Sequence, residues 1–163
     1  GWFQGRMEVG ARSLGGRSIL ASPINPQARN LVNINVKNRE AWRPFCPSIK
    51  LDSINKYIQF EGSACNPNFM ITAHKVRTEM INIIPSCVHI DNTPRPQAVD
   101  KKTNPLYWLL LDELEKLNHH PVVLNTSFNV KGEPIIENPA QAIRCFYGRG
   151  LDELFIGDFI VYK

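Results

Sequence analysis

The chain has 163 residues and a formal net charge of +4, with about 43% hydrophobic and 21% charged residues. This composition is typical of a globular protein with a buried core, and the length predicts one domain spanning residues 1–163. The longest uninterrupted apolar run lies around residues 109–111, far short of the roughly 20 residues that a membrane-spanning helix needs. Residues 1–6 contain no apolar segment typical of a secretion signal, and we expect the domain to belong to a longer protein.

The predicted elements alternate between helices and strands. In chain order they are a helix at 26–35, a strand at 43–49, a helical face with Leu51, Ile54 and Ile58, strands at 68–76, 86–90 and 95–99, a helix at 105–118, a strand at 122–124, a helix from Pro139 to Gly148 or Gly150, and a strand pair at 154–156 and 159–162. This order predicts an α/β or α+β fold with a mixed sheet.

The cysteines and the charge distribution narrow the possible functions. Cys46, Cys65, Cys87 and Cys145 include no closely spaced pair, so we expect no metal site, reduced thiols and a cytoplasmic location. Residues 1–50 hold eight Lys or Arg residues but only two acidic ones, Glu8 and Glu40. A basic surface of this kind binds either nucleic acid or a small anionic substrate.

Two basic segments are candidate anion sites. Residues 10–18 form a glycine-rich loop that includes Arg12 and Arg17, but the spacing and the missing lysine exclude a Walker A motif. A turn with solvated arginines is the alternative. In the segment 36–45, an extended backbone would place Lys37, Arg39 and Arg43 on one side, where they could clamp a phosphate or carboxylate. A solvated basic edge or an RNA-binding groove remains open for this segment.

Two polar segments complete the candidate site. Arg95 lies between Pro94 and Pro96, which restrict the backbone and present its guanidinium rigidly. Nearby, His89 and Asp91 favour a structural hydrogen bond over a metal pair. The segment 124–134 follows a buried strand, and the polar side chains of Ser127 and Asn129 share one side there. They could hold the phosphate or sugar of a nucleotide, or they could form a polar turn.

Four segments resemble, in order, the signatures of one family. They are residues 5–20 (GRMEVGARSLGGRSIL), 37–48 (KNREAWRPFCPS), 89–97 (HIDNTPRPQ) and 125–129 (NTSFN). Together they resemble the C-terminal domain of the O-carbamoyltransferases, which include nodulation, cephamycin and aminoglycoside-antibiotic carbamoyltransferases. The resemblance covers essentially the whole chain. Ala11, Ser13, Cys46 and Asn92 depart from the usual residues, although none of these changes removes a proposed ligand.

The resemblance implies a fold and an activity. The fold is a YrdC-like twisted mixed sheet with flanking helices and a concave basic surface. The activity is the ATP-dependent activation of carbamoyl phosphate, which gives carbamoyl adenylate and pyrophosphate. Mg²⁺ accompanies ATP, and an upstream metal-binding domain with an ATPase-like fold passes the carbamoyl group to a small-molecule hydroxyl. Neither a membrane nor a nucleic acid is an expected partner.

The resemblance also implies residue roles. Lys37, Arg43 and Arg95 are the catalytic cations, and the complete set of binding residues is Arg12, Lys37, Arg39, Arg43, Arg95, Ser127, Asn129 and Arg17, with Arg17 and Arg39 in second rank. Two rival functions stay open. One is a threonylcarbamoyl-adenylate-type synthase on the same fold, and the other is a noncatalytic module that binds nucleotides or RNA.

Overall fold

A computed structural model describes residues 1–61 and 66–163 of the chain. Within these residues the strands are β1 (Trp2–Phe3), β2 (Arg17–Ala21), β3 (Cys46–Lys50), β4 (Ile58–Gln59), β5 (Lys75–Val76), β6 (Gln97–Val99), β7 (Val122–Ser127), β8 (Glu153–Ile156) and β9 (Phe159–Tyr162). The α-helices are α1 (Ala28–Leu31), α2 (Ile54–Tyr57), α3 (Pro105–Asn118) and α4 (Pro139–Gly148). Parallel and antiparallel strand pairs both occur, which confirms the predicted mixed α/β fold class.

The chain divides into two units. The first contains Gly1–Ala21, Gln27–Arg43 and Asn125–Lys163, and the second contains Ser22–Pro26 and Pro44–Leu124. Strand β7 begins in the second unit and ends in the first.

The first unit is built on strands in the order β7-β2-β1-β8-β9. Strand β1 pairs antiparallel with β2 and parallel with β8, and β9 pairs antiparallel with β8. Helix α4 buries Ala142 and Phe146. It begins at a capping box, in which the side chains of Asn138 and Gln141 each accept a hydrogen bond from the other residue's backbone N–H. The first residues of α4 and the pairing of β8 with β9 agree with the sequence-based prediction.

The second unit contains the parallel pair of β3 and β6. Its core is formed by buried apolar side chains from β3, α2 and the following turns, among them Ile49, Tyr57 and Ile84. Helix α3 has the bounds predicted from its leucine spacing, and the side chain of Asn104 caps its first turn. The ammonium of Lys50 on β3 forms ion pairs with Asp112 and Glu115 of this helix.

Several predicted elements differ from the structure. Two of the predicted strands, 68–76 and 86–90, are largely wrong, because short 3-10 turns occupy Pro67–Phe69 and Pro85–Cys87 and only Lys75–Val76 is extended. In both turns a proline, which has no N–H to donate to a sheet, stands at the first position. Strands β1 and β2 escaped prediction, because the glycine-rich segment beside them masks their short apolar pattern.

The helix predicted at 26–35 begins at Ala28 and continues from Val32 to Val36 as a π-helix. The thiols of Cys46, Cys87 and Cys145 are free, and Cys65 lies outside the described residues. Across residues 1–61 and 66–163, no helix combines the length and apolar character needed to cross a membrane.

Candidate functional site

Lys37 lies at the centre of a polar cluster in the first unit. It follows the π-helix Val32–Val36, and Asn38 after it adopts a left-handed backbone with φ of 50°. The Lys37 side chain is only 3% exposed. Its ammonium donates to the backbone oxygens of Ser127 and Asn129 at 2.7 and 2.8 Å, to Ser127 Oγ at 3.3 Å and to Asn129 Oδ1 at 2.5 Å.

The end of strand β7 supplies the other half of this cluster. Ser127 Oγ donates to Asn129 Oδ1 at 2.7 Å, whereas Phe128 between them is fully buried. The side chains of Ser127 and Asn129 therefore lie together, as their two-residue spacing suggests. Asn129 Nδ2 donates to the backbone oxygen of Glu133 at 2.7 Å, and the N–H of Lys131 donates to the backbone oxygen of Lys37 at 3.1 Å. Lys37 is thus bonded to this loop through both its side chain and its backbone.

The electrostatic environment of Lys37 disfavours its charged form. Burial, and secondly the nearby Arg39 guanidinium, lower the pKa of Lys37 from 10.5 to about 7, while the Cys145 thiol acts in the opposite direction. An ammonium with a pKa in this range is charged only in part at neutral pH. The approach of an anionic ligand would favour its protonation.

Residues 37–43 do not form the extended segment that the sequence analysis assumed. Asn33, which is fully buried, accepts from Arg39 Nε at 2.7 Å and donates to the backbone oxygens of Ala41 and Arg43 at 3.2 and 2.9 Å. The segment consequently folds into turns around Asn33. The expectation that Lys37, Arg39 and Arg43 share one side through an extended backbone is therefore wrong in its geometry.

Arg43 and its neighbours form an exposed charged patch. Arg43 Nε forms an ion pair with Glu40 Oε2 at 2.8 Å, and Glu40 Oε1 also accepts from Lys131 at 3.2 Å. The Arg43 guanidinium lies 5.8 Å from the ring of the exposed residue Trp42. Solvated ion pairs of this kind are weak, so an incoming anion competes with Glu40 at little cost.

The glycine-rich loop is held by an internal carboxylate. Glu8 Oε1 accepts from the backbone N–H groups of Leu14, Gly16 and Arg17 at 2.7, 2.6 and 3.4 Å. A Cβ on Gly16 would lie 2.9 Å from the backbone oxygen of Arg6, which explains the need for glycine there. Because these N–H groups already donate to Glu8, they do not form the phosphate-binding loop that the sequence suggests.

The two arginines of this loop have different surroundings. Arg17 is buried, its guanidinium donates to the backbone oxygens of Gln4, Gly5 and Gly16 at 3.0–3.1 Å, and it lies 3.5 Å from the centre of the Phe3 ring. Burial lowers its pKa, and Glu8 opposes this effect. Arg12 is exposed. The guanidinium of Arg17 therefore stabilises the fold, and that of Arg12 is accessible to a ligand.

Arg95 belongs to the second unit. Its Nη2 lies 3.6 Å from Cys46 Sγ, a weak contact, and its Nε is buried with no hydrogen-bond partner in the part of the chain that the structure describes. A buried, unsatisfied guanidinium N–H is costly unless a ligand accepts from it. Asn92 has φ of 61°, a left-handed conformation that asparagine tolerates.

The segment around Asp91 is a loop rather than a strand. Asp91 Oδ1 accepts from the N–H and the hydroxyl of Thr93 at 3.0 and 2.7 Å, and the backbones of His89 and Thr93 are joined by a hydrogen bond. Among the described residues, no three His, Cys, Asp or Glu side chains converge on a possible metal position.

Comparison with known proteins decides the family. The model described as "Carbamoyltransferase C-terminus" matches residues 1–163. The chain belongs to this family of carbamoyltransferase C-terminal domains. It is 39% identical to the nodulation protein NolO of Bradyrhizobium diazoefficiens over all of its length, and 37% identical to NolNO of Sinorhizobium fredii. It is also 31% identical, over 96% of its length, to the 3'-hydroxymethylcephem-O-carbamoyltransferase of Amycolatopsis lactamdurans.

This carbamoyltransferase C-terminal domain spans less than a third of these relatives. It covers 30% of NolO, 24% of NolNO and 29% of the cephem carbamoyltransferase. The relatives are thus much longer polypeptides, in which the matched part is a minor share of the chain.

Sequence reasoning identified the residues of the polar cluster but missed those that organise it. Asn33, Glu8 and Glu133 position the candidate ligands or their loops. Nothing in the spacing of the residues around Glu8 and Glu133 marks these two carboxylates as structural. Cys145, which raises the pKa of Lys37, lies on α4, and its position in the sequence gives no sign of this contact. A search for polar residues that the helical periodicity places on a buried face could have found Asn33.

Proposed function

We propose that this domain activates carbamoyl phosphate with ATP to form carbamoyl adenylate. In this proposal it is the C-terminal part of an O-carbamoyltransferase that carbamoylates a hydroxyl of a small molecule. Membership of the carbamoyltransferase C-terminal family supports the transferase class. The observation that carries the finer proposal is the bonding of the Lys37 ammonium to Ser127 and Asn129, because it joins two of the family's motifs into one polar cluster.

The proposed reaction has two steps. Water takes the phosphoryl group of carbamoyl phosphate, which releases inorganic phosphate and leaves carbamate. A carbamate oxygen then attacks the α-phosphorus of ATP, a new P–O bond forms, the bond between the α-phosphorus and the bridging oxygen breaks, and pyrophosphate leaves. The products are therefore carbamoyl adenylate, pyrophosphate and phosphate.

The cations in this proposal reduce electrostatic repulsion. Carbamate and the triphosphate are both anionic, and the pentavalent transition state accumulates negative charge that preorganised donors stabilise. Lys37 is held close to Ser127 and Asn129, where its ammonium neutralises phosphate charge while the hydroxyl and amide groups donate to phosphate or sugar oxygens. Ligand binding would exchange some of its four internal acceptors for phosphate oxygens.

The remaining candidate cations differ in availability. Arg12, Arg39 and Arg43 belong to the same unit as Lys37, and Arg12 is exposed. Arg95 offers a buried Nε that needs an acceptor. Arg17 is already engaged by backbone oxygens, so we assign it the smallest share in binding.

The partners follow from the same reaction. ATP enters as its Mg²⁺ complex, so the metal ion is part of the substrate and needs no cage of protein carboxylates. Transfer to the hydroxyl acceptor is assigned to an upstream metal-binding domain of the same polypeptide, a proposal that the greater length of the relatives supports. A cytoplasmic location suits the use of ATP and the free thiols of Cys46, Cys87 and Cys145.

Isotope exchange between ATP and pyrophosphate tests the proposal against both rivals. The protein is incubated with ATP and labelled pyrophosphate. One reaction also contains carbamoyl phosphate, and a second contains bicarbonate and threonine instead. Exchange that depends on carbamoyl phosphate supports the proposal, and exchange that depends on threonine supports the threonylcarbamoyl-adenylate alternative. The absence of exchange in both arms, together with RNA binding that weakens steeply with salt, would replace the proposal with a noncatalytic RNA-binding module.

A further inference from the structure

Asn33 is a fully buried polar residue within the π-helix Val32–Val36. Its Oδ1 accepts from Arg39 Nε at 2.7 Å, and its Nδ2 donates to the backbone oxygens of Ala41 and Arg43 at 3.2 and 2.9 Å. The backbone oxygen of Asn33 also accepts from the N–H of Arg39 at 3.0 Å. Asn33 therefore makes four hydrogen bonds to the short segment that ends at Arg43.

The π-helix explains how Asn33 reaches this segment. The N–H of Lys37 donates to the backbone oxygen of Val32 at 2.9 Å, so Lys37 directly continues the helix. The chain then turns at Asn38, whose φ is 50°, and passes Asn33 again. π-Helical turns of this kind are frequent at functional sites. Lys37 and Arg39 consequently flank a turn that Asn33 anchors.

The charges of Lys37 and Arg39 oppose this arrangement. Burial, and after it the Arg39 guanidinium, lower the pKa of Lys37, whereas the Cys145 thiol on α4 acts in the opposite direction. The two positive groups repel each other, and Arg39 is only partly buried, so repulsion favours movement of its guanidinium toward solvent. The hydrogen bond to Asn33 Oδ1 opposes this movement.

A pair of adjacent cations is suited to a phosphate group. A phosphate has several anionic oxygens, so it can accept from an ammonium and a guanidinium at the same time. An anion bound between them also offsets the repulsion between the two cations. The bond from Arg39 to Asn33 uses the Nε–H of the guanidinium. Lys37 and Arg39 together therefore match a phosphate of either substrate in the proposed reaction.

We propose that Asn33 is a positioning residue that holds the Arg39 guanidinium beside the Lys37 ammonium, so that both cations bind one substrate phosphate. This inference rests on the proposed function, which places anionic substrates at Lys37. It gives Arg39 a direct part in binding, whereas the family resemblance places Arg39 in second rank. ATP and carbamoyl phosphate both carry phosphate groups, and the kinetic constants for the two substrates distinguish between them.

Three variants separate the role of Asn33 from that of the fold. Asn33→Ala removes all three side-chain hydrogen bonds. Arg39→Met removes the guanidinium and leaves the two bonds from Asn33 to backbone oxygens in place. The matched control is Asn35→Ala, which makes the same substitution at an exposed position of the same π-helix. Thermal unfolding identifies any variant that fails to fold.

The test measures carbamoyl-phosphate-dependent exchange between ATP and labelled pyrophosphate, with kcat/KM determined separately for each substrate. Asn33→Ala and Arg39→Met should each lower kcat/KM for at least one substrate by about tenfold or more, and Asn35→Ala should stay within about twofold. The substrate with the larger loss is the one whose phosphate the two cations bind. The double variant should lose no more than about twofold beyond either single variant, because Asn33 acts through Arg39. A general loosening of the fold would instead lower exchange again in the Arg39→Met background.

The pH profile provides a second measurement. In the unaltered protein kcat/KM declines as Lys37, with a pKa of about 7, loses its charge. Without the neighbouring guanidinium the pKa of Lys37 rises, so the decline should move to higher pH in Arg39→Met and in Asn33→Ala alike. The Cys145 thiol, the other titratable group that acts on Lys37, is unchanged in these variants.

The outcomes distinguish this inference from the proposed function. If exchange requires Lys37 but is normal in folded Asn33→Ala and Arg39→Met proteins, the inference is wrong while the proposed function stands. If the losses of the two single variants multiply in the double variant, Asn33 does not act through Arg39 and the inference is wrong. If Asn33→Ala does not fold, the kcat/KM and the pH profile of Arg39→Met decide. If the unaltered protein shows no carbamoyl-phosphate-dependent exchange, the proposed function fails and the inference fails with it.

Discussion

Lys37 and Asn129 are 92 residues apart in the chain, yet the Lys37 ammonium donates to both the backbone oxygen and the side-chain oxygen of Asn129, at 2.8 and 2.5 Å. Two segments that look like separate motifs in the sequence therefore act as one structural cluster. The lysine orients the loop after β7, and the loop in turn fixes the ammonium. Any ligand that binds Ser127 and Asn129 consequently approaches a prepositioned cation.

Replacing this lysine should separate activity from folding. Lys37→Met keeps most of the buried side-chain volume but removes the donor to Ser127 and Asn129. We expect carbamoyl-phosphate-dependent exchange to be abolished. The free energy of unfolding should change by no more than about 1–2 kcal/mol, because the loss of a partner for buried acceptors is offset by the removal of the cost of burying the ammonium. Denaturant unfolding and exchange assays measure the two effects. Lys131→Met, at an exposed lysine, is the control, and full exchange activity in Lys37→Met would remove Lys37 from the site.

The hydroxyl of Ser127 offers a milder test of the same cluster. Ser127→Ala removes the donor to Asn129 Oδ1 but leaves the backbone oxygen that accepts from Lys37. Exchange is expected to be lost while the protein stays folded, with an unfolding free energy lower by about 1 kcal/mol. If Ser127→Ala and Lys37→Met both exchange at the normal rate, our assignment of the phosphate site is wrong.

The low pKa of Lys37 predicts a pH dependence of activity. With a folded-state pKa of about 7, Lys37 loses its positive charge as the pH rises through this value. The kcat/KM for ATP reports on the free protein and should therefore decline above about pH 7. Lys37→Arg stays charged, so whatever activity it retains should lack this decline. A kcat/KM that stays constant from about pH 6 to about pH 9, an interval that includes the pKa of Lys37, would contradict the prediction.

The same group predicts the sign of a stability change with pH. In the unfolded chain Lys37 has its ordinary pKa of 10.5, whereas in the folded protein its pKa is about 7. Between these values the unfolded state binds more protons, so the Lys37 contribution makes the unfolding free energy rise with pH. Below about pH 7 both states are protonated and this contribution is constant. This rise of the unfolding free energy with pH should disappear in Lys37→Met. If the rise is unchanged in that variant, other groups cause it.

Two arginines should respond in opposite ways. Arg17→Lys removes hydrogen bonds to backbone oxygens and the contact with Phe3, so we expect a stability loss of about 2–3 kcal/mol and little change in ATP affinity. Within residues 1–61 and 66–163, Arg95→Gln loses a weak contact with Cys46, so stability should change by less than about 1 kcal/mol while exchange falls by more than about tenfold. Calorimetry measures the stability of each variant, and exchange kinetics measure its activity. A stable and active Arg95→Gln, together with an unstable and inactive Arg17→Lys, would contradict this assignment.

The glycine-rich loop gives a purely structural prediction. Gly16→Ala places a Cβ 2.9 Å from the backbone oxygen of Arg6 and 3.1 Å from the Glu8 carboxylate, so we expect a loss of about 1–3 kcal/mol in unfolding free energy. Gly148→Ala, whose Cβ would lie in open space, is the matched control and should be neutral or slightly stabilising. Equal stability of the two variants in thermal unfolding would show that the loop adapts to the added methyl group.

The sequence predicts elements well where local signals are strong. The leucine spacing and the proline at its start define α3, and Asn138 with Pro139 defines the beginning of α4. Prolines misled the prediction at 68–76 and 86–90, where an apolar pattern lies within short turns. The π-helix before Lys37 has no sequence signature, so the assumption of an extended segment at 37–43 failed.

The candidate site was predictable as a set of residues but not as an arrangement. The motifs identify Lys37, Ser127 and Asn129, whereas their contact depends on how distant segments pack. The resemblance ranks Arg95 above Arg17, but the residues alone give no physical reason for that order. The structure distinguishes them by their hydrogen bonds, because the Nη atoms of Arg17 donate to three backbone oxygens, whereas Nη2 of Arg95 makes a weak contact with Cys46 Sγ.

In the proposed reaction ATP is split at its α-phosphorus, and this cleavage needs carbamoyl phosphate. The most direct measurement follows the products formed from ATP labelled at the α-phosphate and, separately, at the γ-phosphate. We expect α-label in carbamoyl adenylate and γ-label in pyrophosphate, both only when carbamoyl phosphate is present and neither in Lys37→Met. Formation of ADP with labelled inorganic phosphate, or product formation that ignores carbamoyl phosphate, would contradict it.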